Sequence, residues 1–521
     1  MDFEEARALL GLGEVFTKTD VDKAFVSLTT KASPQDISLL SRARSIVRKA
    51  EGLAAPTAEP ENIREPRLAL EYLRTTKRNV FITGPGGNGK SRLLETFYQA
   101  GSDKAMAVVT PTGTAAMNLK VPASTAHSFF KLGTHAGLSF LDHSKMNSVE
   151  KAKFKILELL IIDEISMVNS DFLDAINLKL QAARGNDKPF GGVQVFMFGD
   201  PYQLPPVPSS GDSLMEAKLA KKYPAGIWFF EAEVFDDAEV EVLELRVNHR
   251  IDKKSPNAGL LTEMLRRIRL GKTDPETLAY FNARVGAQLS TSNYFTLVAR
   301  NSDAEPINNL GLANLPGEEF VFQGVFERVN PKSTMTAGWE KVLPEEFFRV
   351  KVGAQVMFIK NDDQGGKLES GKRVPRWANG HLGKVESIDV NAKSIKVLHE
   401  LSGESYEVRL SAWDVVQHIA TTKKLSHGAN VDALEPEIQA RYIQFPLKLA
   451  WAQTIHKAQG QTLEHMALEP DGINNDGQLY VALSRVKSLE GLSLKSPITP
   501  ELIKVSKEAK LFMENWTKIH L

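Results

Sequence analysis

Four short apolar runs, each followed by a helical stretch, predict an α/β chain built on parallel sheets. Two further observations shape that prediction. A glycine-rich loop stands between the first run and its helix, and a later stretch alternates in the manner of short antiparallel strands. The chain is therefore expected to hold two α/β domains, the second interrupted by a small β-barrel, behind a small N-terminal helical unit.

The elements are justified in order. Over residues 1–53, Val21, Phe25 and Leu28 share one helical face and Ile37, Leu40, Ala43 and Val47 another. Ser33-Pro34 opens the last of these helices, serine capping free N–H groups and proline filling the first helical position, where no donor is needed. Residues 54–66, with Ala54-Ala55-Pro56-Thr57-Ala58-Glu59-Pro60, read as a linker because small residues and prolines resist packing. The first α/β domain is expected over 67–240, on strands at 80–83, 107–110, 159–162 and 195–198. The second is expected over 241–346 and 445–521. The barrel lies between, over 347–444, with strand alternation at 384–390, 394–398 and 405–410.

Composition narrows the function classes. A chain of 521 residues is long enough for several separate cores. No apolar run approaches the length of a membrane span, and the acidic opening Met-Asp-Phe-Glu-Glu-Ala lacks a basic region before an apolar stretch, so an intracellular, cytoplasmic protein without membrane contact is expected. Zero cysteines exclude disulfides, thiolate metal sites and cysteine nucleophiles. Lysine plus arginine (64) balances aspartate plus glutamate (64), so any basic groove must be local.

The glycine-rich loop carries the chemistry. Gly84-Pro85-Gly86-Gly87-Asn88-Gly89-Lys90-Ser91 fits the P-loop pattern, with a strand before it and a helix, beginning Ser91-Arg92, after it. Glycines let backbone N–H groups turn inward to cradle phosphate, Lys90 neutralises the β/γ oxygens, and Ser91 offers a hydroxyl to Mg²⁺. Downstream, Leu159-Leu160-Ile161-Ile162 ends in Asp163-Glu164, two carboxylates at the carboxyl end of a sheet strand, where nucleotides bind. Asp163 is expected in the magnesium shell and Glu164 as the base acting on the attacking water. Without the P-loop, such a pair would read as a solvated loop.

With these motifs in place, the chain from about Asn79 to Leu494 resembles the superfamily 1B DNA helicases, the Pif-one-like and RecD-like group with its Dda-type members. Val109-Thr110-Pro111-Thr112-Gly113-Thr114-Ala115 looks like motif Ia and Thr125-Ala126-His127-Ser128-Phe129-Phe130 like motif Ib, both of which contact single-stranded DNA in the family. Gly199-Asp200-Pro201-Tyr202-Gln203 is similar to motif III, whose glutamine senses the γ-phosphate. Leu245-Arg246-Val247-Asn248-His249-Arg250 looks like motif IV, with Ile251 where the family commonly has glutamine. Gln453-Thr454-Ile455-His456-Lys457-Ala458-Gln459-Gly460 looks like motif V and Tyr480-Val481-Ala482-Leu483-Ser484-Arg485 like motif VI. The resemblance implies two RecA-like P-loop NTPase motor domains and an SH3-like inserted barrel, with a wedge subdomain at about 131–154 in which Phe140 is the candidate strand-separating pin. It also implies that Arg250 and Arg485 reach the γ-phosphate from the second domain and that Gly460 belongs to the nucleotide site. An arginine supplied on domain closure contributes about 10³-fold or more to phosphoryl transfer.

Two departures stand out. No glutamine lies between Gln35 and Gln99, where the family places its adenine-reading residue, and Arg67 stands near that position. The N-terminal unit is faintly similar to a J-type domain, with Ala32-Ser33-Pro34 in place of its His-Pro-Asp.

The resemblance thus implies an ATP- and Mg²⁺-dependent DNA helicase, acting as a monomer at single-strand/duplex junctions beside replication or recombination proteins and moving 5′ to 3′. Thr112, Thr125, His127, Ser128 and His456 are candidate strand contacts, each equally readable as a helix cap or a satisfied loop residue. Pro111, Thr114, Thr454 and Lys457 join them by motif position. A nucleotide-gated loading module that unwinds nothing and an RNA-directed translocase are the alternatives.

Overall fold

In the computed structural model, the residues described are 61–519, apart from 113–114, 117–118, 133–145, 207–212, 291–293, 330–343, 363–364, 366–375 and 425–429, together with Leu9 and Leu28. Two compact units divide the chain, Met1–Arg67 and Leu68–Leu521. The expected N-terminal helices lie outside the described residues. Helix α1 (Glu61–Thr75) begins inside the expected linker and contains Pro66. Its later turns bury Ala69 and Leu73, four residues apart and so on one face, and that burial stabilises a helix where composition alone reads linker.

The first motor domain grows from β1 (Val80–Thr83), α2 (Lys90–Gln99), β2 (Met106–Thr110), β3 (Ser124–Thr125), α3 (Ala126–Phe130), α4 (Ser148–Ile156), β4 (Leu159–Ile162), α5 (Ser170–Arg184), β5 (Gln194–Phe198) and β6 (Glu241–Glu244). Strands β1 and β4 are buried along their whole length, the pattern of a parallel sheet covered on both faces. The order β6-β1-β5-β4-β2-β3 places β1 and β4 on either side of β5, so their carboxyl ends open on one crevice.

The second motor domain comprises α6 (Ala258–Arg269), α7 (Pro275–Asn282), β7 (Phe295–Val298), α8 (Asn301–Ala313), and, after the inserted region, β18 (Ala452–Thr454), β19 (Met466–Leu468), α9 (Gln478–Leu483) and β20 (Leu492–Leu494). Its parallel sheet runs β18-β7-β19-β20. The inserted region holds β8 (Phe320–Gln323), β9 (Val325–Arg328), β10 (Phe347–Val350), β11 (Gln355–Phe358), β12 (Leu382–Asp389), β13 (Ser394–His399), β14 (Ser405–Arg409), β15 (Ser411–Lys424), β16 (Asn430–Gln444) and β17 (Leu447–Leu449). These make a five-stranded antiparallel sheet, β14-β13-β12-β11-β17, beside a three-stranded β15-β16-β9 and a two-stranded β10-β8. The β element therefore draws strands from both sides of the expected 347–444 limits, because β8, β9 and β17 complete ladders that would otherwise end in unpaired N–H and C=O groups.

The chain's last segment differs from expectation as well. Helix α10 (Lys507–Asn515) and β21 (Lys518–Ile519) join the first domain: β21 pairs in parallel with β6, and Ala509 and Met513 enter that domain's core. Phe512 stacks on Phe230 at 4.2 Å between ring centroids. The expected run of the second domain over 445–521 therefore ends near residue 506, since aromatic burial draws the tail back to the first sheet.

Candidate active site

The phosphate loop is shaped by what it abuts. Gly84 adopts φ 143° and Gly87 φ 94°. A Cβ at Gly84 would stand 2.3 Å from the Leu245 carbonyl oxygen, and one at Gly87 2.7 Å from Arg250 Cβ. Only glycine fits either place. Asn88 Nδ2 donates to the Leu245 carbonyl at 2.8 Å, tying the loop to the chain that leaves β6. Lys90 begins α2 and folds back, its Nζ donating to the carbonyls of Gly84 (2.6 Å) and Pro85 (3.2 Å). Burial lowers the Lys90 pKa, and the carboxylates of Asp200 and Glu164 oppose that shift. Arg92, in the first turn of α2, is exposed.

Strand β4 delivers the two carboxylates beside this loop. Ser91 Oγ donates to Asp163 Oδ2 at 3.3 Å. Burial, reinforced by the neighbouring Glu164 charge, pushes the Asp163 carboxyl up to about 7. A buried carboxylate beside a second one and a hydroxyl is a donor set that suits a hard cation, whose charge would oppose that shift. Glu164 takes φ 52° and turns off the strand, where its Oε2 accepts from Gln459 Nε2 at 3.0 Å.

The second domain closes over the loop with arginines. A Cβ on Gly86 would lie 3.2 Å from Arg485 Nη2 and 3.4 Å from Arg250 Nη1. Arg250 donates to Thr462 Oγ1 (3.0 Å) and the Ser484 carbonyl (2.8 Å), with the Gly460 carbonyl at 3.5 Å. Arg485 donates to the Val481 carbonyl and Ser484 Oγ, both at 2.7 Å. Among the described residues neither arginine has a carboxylate partner within ion-pair distance. Burial lowers the Arg485 pKa to about 10, and burial together with Arg485 lowers that of Arg250. One buried guanidinium, Arg485, and one half-buried, Arg250, both held by neutral acceptors beside a phosphate cradle, favour a polyanion between them.

Motif III docks the domains together. Buried Asp200 pairs with Arg269, at the end of α6, at 2.8 Å. The Arg269 guanidinium lies 4.3 Å from the centre of the Tyr202 ring. Gln203 Nε2 approaches Asp200 Oδ2 at 3.4 Å, and a Cβ on Gly477, just before α9, would meet the Gln203 carbonyl oxygen at 2.4 Å.

A cleft of about 500 Å³ continues from Ser91, Asp163 and Glu164 past Thr112, His456, Lys457, Gln459 and Gly460 to the inserted region at Gly380, His381 and Glu400. Three of the predicted strand contacts, Thr112, His456 and Lys457, therefore share one wall system with the nucleotide site. Pro111 precedes Thr112 at the end of β2. Thr125 Oγ1 caps α3 by accepting from the Ser128 N–H at 3.2 Å, and the His127 ring packs 4.3 Å from Phe172. Burial lowers the pKa of both His127 and His456. Thr454 Oγ1 accepts from the Lys457 N–H at 3.4 Å. Thr114 and Phe140 lie outside the described residues.

Sequence reading did not single out four residues of this site. Tyr480 Oη accepts from the Gly86 N–H at 2.8 Å, and Asn248 Nδ2 donates to the Gly86 carbonyl at 3.2 Å. Gln459 and Tyr480 stood inside recognised motifs, whereas Arg269 is one of three arginines in the last turn of α6, with nothing in the sequence to separate it from Arg266 and Arg267.

Comparison with known proteins finds similar chains. The family model described as PIF1-like helicase matches residues 69–278. The ATP-dependent DNA helicase Pif1 of Bdellovibrio bacteriovorus is 31% identical over 441 residues, covering 84% of this chain and 89% of its own length. The human ATP-dependent DNA helicase PIF1 is 27% identical, with 84% of this chain and 62% of that protein covered. Among solved structures, Bacteroides sp Pif1 in complex with ADP-AlF4 aligns with a TM-score of 0.71 at 29% identity, over 86% of this chain and 96% of that one. Bacteroides Pif1 bound to ssDNA aligns with a TM-score of 0.58 at 30% identity, over 88% and 97%. Sequence identity of 31% spread over 89% of the Bdellovibrio protein means that this chain belongs to the PIF1-like helicase family.

Proposed function

We propose that this protein is an ATP-dependent DNA helicase that tracks 5′ to 3′ along single-stranded DNA and opens duplex at the junction it meets. The observation that carries the reading is the pair of arginines from the second motor domain, half-buried Arg250 and buried Arg485, set against Gly86 of the P-loop in the first. A triphosphate seated on the loop bridges both domains, so its arrival and cleavage change the force holding them together. Similarity to Pif1 proteins, including one solved with ssDNA, supports DNA as the track.

In this reading Glu164 takes a proton from water as the water oxygen bonds to the γ-phosphorus. The bond to the bridging oxygen breaks, and ADP leaves with that electron pair. Lys90, Arg250 and Arg485 stabilise the charge that shifts onto the phosphoryl oxygens. Ser91 and Asp163 would hold a magnesium ion, which supplies further neutralisation of the phosphates when bound. Thr112, His456 and Lys457 are the proposed grip on the strand, through hydroxyl, imidazole and ammonium contacts to phosphate that weaken with salt.

The test is an unwinding assay on 5′-tailed and 3′-tailed duplexes, beside ATPase measured without polynucleotide, with oligothymidylate and with RNA. Opening of the 5′-tailed substrate alone, with ATPase stimulated by DNA, is expected. Opening of the 3′-tailed substrate alone would reverse the polarity, and ATPase indifferent to oligothymidylate would remove the helicase reading.

A further inference from the structure

We infer that Gln459 is a positioning residue that restrains Glu164 until a strand enters the cleft, so that strand occupancy sets the rate of the hydrolytic step. The inference rests on the helicase reading and deepens it. Gln459 Nε2 donates to Glu164 Oε2 at 3.0 Å, across the two motor domains. Its Oε1, by contrast, is buried with no hydrogen-bond partner among the described residues. The side chain is therefore held through its amide nitrogen alone, and one hydrogen bond is all that has to break for Gln459 to leave Glu164.

The turn that carries Gln459 also faces the strand side of the cleft. His456 and Lys457 line the same cavity as Gln459 and Glu164. Within the turn, Ala458 N–H donates to the Thr454 carbonyl (3.1 Å) and Gln459 N–H to the His456 carbonyl (3.2 Å), while Ile455 and Ala458 are fully buried. Short internal hydrogen bonds on buried anchors make residues 454–459 move as a unit. A phosphate drawn to Lys457 and His456 therefore displaces Gln459 as well.

Release matters because of what the hydrogen bond does to a base. An amide donor on a carboxylate oxygen fixes the direction in which it faces. Freed from Gln459, Glu164 can turn toward water at the γ-phosphate. DNA stimulation of ATPase then arises partly by removal of this restraint.

The experiment measures steady-state ATPase over a range of MgATP, with and without saturating oligothymidylate, for wild type, Gln459→Ala and Gln459→Met. In both variants the DNA-independent kcat should rise about three- to tenfold, while kcat with oligothymidylate stays within about twofold and KM for ATP is unchanged. Oligothymidylate should bind both variants at least as tightly as wild type, because the strand no longer has to break the contact. An unchanged or lower DNA-independent kcat in both variants overturns the inference, and so does early melting of both by circular dichroism, which would make the contact structural. If wild type itself ignores oligothymidylate, the functional reading fails first and the two failures are told apart.

Discussion

In the proposed reaction Lys90 neutralises the phosphates while Glu164 takes the proton from water, and their variants should separate the two roles. Lys90→Ala removes the charge on the β/γ oxygens, and turnover should fall by about a thousandfold or more, with nucleotide affinity reduced. Glu164→Gln keeps size and hydrogen bonding but not basicity, so a fluorescent ATP analogue should still bind while turnover falls by at least about a hundredfold. Near-normal hydrolysis by the glutamine variant would remove Glu164 as the base. At the far end of the cleft, His381 Nδ1 and His399 Nε2 lie 2.9 Å apart. Burial, then His399 and Lys487, lower the His381 pKa to about 4. A histidine held neutral in the fold but free to charge when unfolded contributes stability that is complete above its ordinary pKa near ~6.5 and is lost as pH falls toward 4. Melting temperature should therefore drop over that window, and less steeply for His381→Asn. The P-loop was legible in sequence because fixed spacing announces it, whereas both arginines were named only through the resemblance to the family. Arg269 and Tyr480 were not, since their roles come from which surfaces meet, and no local pattern encodes that.

Strands β1 and β4 match their expected limits residue for residue, because a continuous apolar run bounded by glycine or acidic residues leaves little freedom in a parallel sheet. The edges of the inserted region and the tail were less legible. Strands β8, β9 and β17 are three or four residues long, and what defines them is the partner ladder, not their own alternation. Helix α10 carries an apolar stripe that could have served either domain. Its place is decided by Phe512, which packs among Phe81, Phe229, Phe230, Phe235 and Trp516. Phe512→Ala should lower stability by roughly 2 kcal/mol, less than for a fully buried ring, in urea denaturation followed by tryptophan fluorescence. A loss of no more than about 0.5 kcal/mol, the range of an ordinary surface substitution, would show that α10 adds little to the first domain's core.

Across the molecule, the two motor domains are joined under motif III by the buried pair Asp200 and Arg269. Removing one partner leaves the other charged and unpaired, so Asp200→Asn or Arg269→Met alone should cost about 3–5 kcal/mol in thermal or chemical unfolding. The double variant should cost less than the sum of the singles, and strict additivity would show that the pair is not coupled. Both single variants should also slow DNA-stimulated ATPase, because Gln203 shares the same carboxylate.

The return of the tail to β6 carries a mechanical corollary. The polypeptide leaves the first domain after Glu244 and comes back to it by Lys507, so the second domain hangs from two tethers. A body hung from one thread can spin, whereas a body hung from two swings like a gate about the line joining its hinges. Relative motion of the domains is thereby confined toward a single arc, and severing the connection just after Ile503, which is still buried in the second domain, would leave the gate free to twist.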